Sequence, residues 1–153
     1  TMNNFVWGNV RFQNYETIAG GTGAGPDFDG CDGVQSHMTN TRMTDPEVLE
    51  SRFPVRLLEF SIRHGSGGAG AHHGGNGAVR RMQFLEPVTV TTLSSHRVIP
   101  PFGVAGGAPG QVGRNWAELP DGTRVDLQGN DEIDLPEGGI FVMETPGGGG
   151  FGA

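Results

Sequence analysis

The chain has 153 residues and a formal net charge of −7, with 28 glycines, 10 prolines and no lysine. That length fits one domain, and cationic side chains that are all arginine exclude a lysine Schiff base and the lysine of a phosphate loop within this chain. The acidic balance argues against nucleic acid as a partner, no apolar run reaches the roughly 18 residues of a membrane span, and the single Cys31 excludes an internal disulfide framework and suits a reducing, cytoplasmic compartment.

In chain order, Thr1 precedes Met2, and an apolar set (Phe5, Val6, Trp7, Val10, Phe12) begins at once. The expectation is a chain cut from a longer protein, with no signal peptide. Residues 5–17 are rich in aromatic and β-branched side chains and predict one or two strands. Residues 20–33 (GGTGAGPDFDGCDG) predict a long loop. Thr44-Asp45-Pro46-Glu47 has the form of a capping box, with Thr44 as N-cap and Glu47 three residues later. It predicts a short helix over 45–52 that Pro54 must end.

Residues 55–62 predict a strand with Leu58, Phe60 and Ile62 on one face. Residues 79–85 place Met82 and Phe84 on one face and Arg81 and Gln83 on the other. Residues 88–93 put Val88 and Val90 together, and Glu86-Pro87 suits a tight connection between these two strands. Residues 124–127, 133–135 and 140–143 predict further short strands, the last two joined by a turn at 136–139. The expected fold is mainly β. It is a single sandwich- or barrel-like domain with one short helix and long glycine-rich loops. Its core is expected from Leu58, Phe60, Ile62, Met82, Phe84, Val88, Val90, Ile140 and Val142. Apolar Leu, Ile, Val and Phe make only about 23% of the chain, so that core is lean. Four glycine-rich segments (20–25, 65–77, 103–113 and 147–152) share no fixed period, which excludes a solenoid.

Two of these segments match G-x-G-x-x-G by letter, at Gly65 to Gly70 and Gly147 to Gly152. A pyrophosphate site needs a helix N-terminus after the loop. His72-His73-Gly74-Gly75 cannot start one, and the second match has no helix sequence after it. No nucleotide site is expected, and sharp turns or close backbone approach explain the glycines. Asp27, Asp29 and Asp32 lie in a glycine loop and are weak metal candidates, because the calcium-loop register fails: Met38 stands where a glutamate is needed. The adjacent His72 and His73 lack a ligand at metal spacing. Cys31 sits between acidic neighbours, the reverse of what activates a thiol. No G-x-S-x-G elbow occurs, which excludes an α/β-hydrolase. His37-Met38-Thr39-Asn40-Thr41-Arg42 gathers donors and acceptors just before the helix. Such a stretch can bind an anion or brace the loop.

Several segments occur together in a specific order: Tyr15-Glu16-Thr17-Ile18-Ala19-Gly20-Gly21, His37 to Arg42, Asp45-Pro46-Glu47-Val48-Leu49-Glu50 and Arg52-Phe53-Pro54-Val55. Gly74-Gly75-Asn76-Gly77-Ala78-Val79-Arg80, Ser94-Ser95-His96-Arg97, Pro100-Pro101-Phe102-Gly103 and Thr145-Pro146-Gly147-Gly148-Gly149-Gly150-Phe151-Gly152 follow. In this order they resemble the C-terminal part of the hydantoinase B/oxoprolinase family, over essentially residues 1–153, and look most like its 5-oxoprolinase branch. The resemblance implies ATP-driven hydrolysis of 5-oxo-L-proline to L-glutamate; related members act on hydantoins or carboxylate acetone. It also implies that nucleotide is bound by a partner hydantoinase A-type domain or subunit. A divalent metal is implied in the remainder of the hydantoinase B-type region, with no cofactor on this segment. On that basis the isolated segment is expected to be inactive. A non-catalytic module for subunit assembly or ligand binding is the alternative. The implied substrate carries a carboxylate, which gives His37, Asn40, Thr41 and Arg42 a candidate substrate-binding role; the competing reading is that they brace the helix start.

Overall fold

Among the described residues, nine strands divide between two antiparallel sheets, with one short α-helix between the second and third strands. A computed structural model describes residues 1–153, the side chain of Met38 excepted. Strands β1 (Asn3–Gly8) and β2 (Gln13–Thr17) form a hairpin. Helix α1 (Pro46–Arg52) leads into β3 (Val55–Arg63) and β4 (Gly77–Phe84). Then come β5 (Val88–Ser94), β6 (Arg114–Glu118), β7 (Arg124–Leu127), β8 (Asn130–Leu135) and β9 (Ile140–Glu144). One sheet has the order β2-β1-β5-β8 and the other β3-β4-β9-β6-β7. The expected connections at Glu86-Pro87 and 136–139 do not join paired strands. Each carries the chain from one sheet to the other, as the strand orders require.

The sheets face each other through buried apolar side chains. Phe5, Trp7, Val88 and Val90 come from one sheet, and Met82, Phe84, Phe141 and Met143 from the other. Phe5 stacks on Phe141 with centroids 5.0 Å apart, and Trp7 meets Phe84 edge-on at 5.4 Å. Such contacts add to area burial. The mainly β sandwich with one short helix is therefore as expected.

Three expectations need correction. The helix N-cap is Asp45, not Thr44; the Asp45 side chain accepts from the Glu47 N–H. Proline at the next position lacks an N–H, so the first free donor is that of Glu47. In β3, Leu58 and Phe60 are exposed rather than core. A bulge between Leu57 and Glu59 shifts the register, turning Leu58 outward. Phe60 and Ile62 then pair with Arg80 and Ala78, on the core side but at the sheet's edge strand. In β9 the inward residues are Phe141 and Met143; Val142 is buried against the other face, paired with Trp116 and Arg81, and Ile140 is half-buried.

The glycine-rich segments make a second interior at one end of the sandwich. Residues 147–150 run through its middle and are buried. Gly148 N–H donates to the Gly75 carbonyl at 2.8 Å and its own carbonyl accepts from Gly68 at 2.8 Å. Gly149 accepts from Ala24, and Gly150 donates to Ala108 while accepting from Val104, each at 2.9 Å. Four distant segments thus pair backbone to backbone. A Cβ on Gly149 would overlap the Phe102 carbonyl, and one on Gly148 would overlap that of Thr22. Both obstacles are main chain, which cannot rotate aside.

Gly149→Ala is expected to lose about 3 kcal/mol, a fall in Tm of roughly 10 °C. Gly122→Ala is the control. Gly122 needs its φ of 85°, but no atom lies within 4 Å of a Cβ there. Its cost is held to about 1 kcal/mol of backbone strain. Thermal unfolding of the two variants checks the difference.

Candidate functional site

Parity along β4 brings an arginine into the sandwich. Ala78, Arg80, Met82 and Phe84 share the core side, and Arg80 is 2% exposed. A guanidinium there requires a carboxylate. Glu16, on β2 of the opposite sheet, supplies it. Its two oxygens accept from Arg80 Nε at 2.8 Å and Nη2 at 2.7 Å, a bidentate fork joining the sheets. The Phe60 ring lies over the guanidinium at 5.3 Å.

Above this pair, Tyr15, Glu16 and Thr17 form one wall of a small cavity, and Thr41, Arg42, Met43 and Thr44 form the other. Gln35 holds the approach to this segment by donating from Nε2 to the Thr17 carbonyl at 2.7 Å. The cavity is about 80 Å³, against roughly 300–1,000 Å³ for complete ligand pockets. It can take a small polar group. Of the four candidate substrate-binding residues, Thr41 and Arg42 line it. His37, in a 3₁₀ turn (His37–Thr39) with a φ of 55°, and Asn40 do not. His37, Asn40, Thr41, Arg42 and Thr44 are exposed, and Arg42 makes no ion pair with Asp45 or Glu47 among the described residues.

Asp29 and Asp32 are engaged with the main chain. Asp29 Oδ1 accepts from His73 N–H at 2.9 Å and lies 3.3 Å from His72 Nδ1. Asp32 Oδ1 accepts from Asn76 N–H at 2.6 Å. Both tie the 26–33 loop to the glycine interior. Asp27 is exposed and apart from them, and no cluster of three metal-ligating side chains forms among the described residues. Five of the six amides of residues 147–152, all but that of Gly149, donate to protein carbonyls, so they do not form a cradle for a phosphate.

A second polar centre forms around the Ser94-Ser95-His96-Arg97 segment, to which the sequence assigned no chemical role. Arg97 donates from Nε and Nη2 to Asn115 Oδ1, and from Nη1 to Asn3 Oδ1 and the Ser95 carbonyl. Asn115 is itself buried and fixed by Ser94 Oγ and the Gln128 carbonyl. Burial lowers the Arg97 guanidinium to about 10, and the nearby Arg63 cation acts in the same direction. Arg63 pairs with Glu144 at 3.1 Å.

Comparison with known proteins gives this architecture a context. The family model described as hydantoinase B/oxoprolinase matches residues 1–153. The chain is 50% identical over 152 residues to 5-oxoprolinase 1 of Arabidopsis thaliana, covering 99% of this chain and 12% of that protein. The fold is shared with an acetone carboxylase in its nucleotide-free structure, at a TM-score of 0.78 and 20% identity over 99% of this chain and 25% of that one. It is shared also with the ATP-dependent caprolactamase of Pseudomonas jessenii, at a TM-score of 0.76 and 21% identity over 99% and 28%. The chain therefore spans about an eighth of that curated relative's length.

Removing one member of the buried pair leaves the other charge unmatched. Arg80→Met is expected to lose about 3–5 kcal/mol. Combining it with Glu16→Leu is expected to restore most of that loss, because the site then needs no charge compensation. Urea unfolding of the single and double variants measures the coupling.

Proposed function

The chain belongs to the hydantoinase B/oxoprolinase family, and from that premise we propose that it is the C-terminal segment of an ATP-dependent cyclic amide hydrolase of 5-oxoprolinase type. The whole enzyme would open 5-oxo-L-proline to L-glutamate with hydrolysis of ATP to ADP and phosphate, in the cytoplasm. The observation that carries this reading is 50% identity to a 5-oxoprolinase over 99% of the chain. ATP supplies activation of the lactam oxygen when bound, but the residues of this chain do not fit a nucleotide or metal site: lysine is absent, five of the six amides of residues 147–152 are spent on protein carbonyls, and no three metal-ligating side chains cluster among the described residues. Nucleotide belongs on this reading to a hydantoinase A-type domain or subunit, and the metal to the remainder of the hydantoinase B-type region.

This chain's own part is to form one wall of a substrate site. Arg42 offers a free bidentate fork beside Thr41, above the rigid Glu16–Arg80 pair. The carboxylate of 5-oxoproline is the group it would hold. His37 and Asn40 stand outside the cavity and would contribute only where another part of the enzyme closes over them.

A second reading, a module for assembly, is favoured by one observation. Val98, Ile99 and Phe102 are 87%, 75% and 79% exposed in one short stretch with two prolines. Apolar side chains so displayed mark contact with another protein surface.

Alone with 5-oxoproline, ATP and Mg²⁺, the chain is expected to show no turnover; clear activity sinks the proposed division of labour. Mixed with the nucleotide-binding partner, it is expected to co-elute on size exclusion. In the full enzyme, Arg42→Ala is expected to raise KM for 5-oxoproline about tenfold with an unchanged Tm. A lowered Tm with unchanged kinetics would assign the segment to architecture instead.

A further inference from the structure

A cleft of about 520 Å³ opens between β6, β7 and the turn after β5, with Arg97, Arg114, Asn115 and Arg124 in its lining. In a chain of net charge −7, three cations share one cleft. The Arg124 charge is matched: its guanidinium meets Asp126 at 2.7 Å and stacks over Trp116 at 4.2 Å. Those of Arg97 and Arg114 are not. Among the described residues neither forms an ion pair, and Glu144, across the strand pair from Arg114, is held by Arg63.

The Arg97 donors meet neutral acceptors only. A single amide oxygen, Asn115 Oδ1, accepts from both Nε and Nη2, where the two oxygens of a carboxylate do so at Arg80. Four of its N–H groups are engaged, and one hydrogen on Nη2 has no partner. The Arg114 side chain is exposed and makes no hydrogen bond among the described residues. A guanidinium withdrawn from water, with neutral acceptors and other cations for neighbours, lacks an anion. The cleft is the place from which one reaches it, and its volume lies in the range of small-ligand sites.

We propose that this cleft binds a small oxyanion, a carboxylate or a phosphate, between the free Nη2–H of Arg97 and the guanidinium of Arg114. Asn3, Ser95 and Asn115 set the Arg97 plane, and the Arg124–Trp116 stack forms the far wall. The site does not rest on the assigned role of Arg42 or on the parent reaction.

Isothermal titration of the chain with sodium phosphate and, separately, disodium succinate tests it, with sodium chloride fixing the ionic strength. Saturable binding of at least one anion is expected, with a rise in Tm at saturation. A response to phosphate alone assigns phosphate, and one to succinate alone assigns carboxylate. Arg114→Gln is expected to keep the Tm of the free chain and to weaken that binding about tenfold or more. Arg97→Lys, which keeps the charge but loses the fork, is expected to weaken it as well. Absence of any response beyond the chloride control, or unchanged affinity in Arg114→Gln, overturns the proposal.

Discussion

Close approach of backbone to backbone at the glycine-rich end governs the rest of the structure. Residues 147–150 are buried without contributing an apolar side chain, so their peptide groups must find partners in other segments. They do so in residues 20–25, 65–77 and 103–113, which arrive from widely separated parts of the chain. Dispersion and hydrogen bonding between main chains take the place of side-chain burial there. A chain with few aliphatic residues can therefore keep a dense interior. The same demand accounts for Asp29, Asp32 and Asn76. Their side-chain oxygens terminate amides that the glycine segments leave free, and Asn76 Oδ1 accepts from both Ser66 and Gly67.

The sandwich beside it was largely legible in the sequence, and its exceptions have local causes. Proline at 46 and 54 brackets α1 so closely that sequence and structure agree on where it ends. Strand β7 falls on the expected 124–127. Strand β6 has no apolar period to detect, because its inward positions are Asn115 and Ala117. In β3 a period of two held on both sides of the bulge, but the bulge itself is a one-residue insertion that alternation cannot reveal. The glycine segments were legible as letters and not as a structure. Their order in space depends on pairings across more than a hundred residues, such as Ala24 with Gly149.

The polar interior was less legible, for a different reason. Parity alone places Arg80 between Ala78 and Met82 on a buried face, which is a usable signal for a cross-sheet carboxylate. That the carboxylate is Glu16 follows only from the packing of two sheets. Thr41 and Arg42 come to the same place because β2 and the segment before α1 converge on Glu16. The residues singled out by their chemistry thus divide by geometry, with His37 and Asn40 outside the cavity.

Two arginines show how differently one charge can be housed in one domain. Arg80 is sealed between the sheets with a bidentate carboxylate and an aromatic lid, and its electrostatics are complete. Arg97 has the same fork-like anchoring, but every acceptor is neutral, and the nearby Glu144 is committed to Arg63. Burial without a counter-charge disfavours the cation, which is why its pKa falls to about 10 while it still carries its proton near neutrality. The free energy stored in that arrangement is recoverable by any oxyanion entering the cleft. Where Arg80 and Arg63 carry carboxylate partners, Arg97 leaves a charge imbalance facing the cleft. The direction of the imbalance, positive on an acidic chain, selects what the cleft can accept.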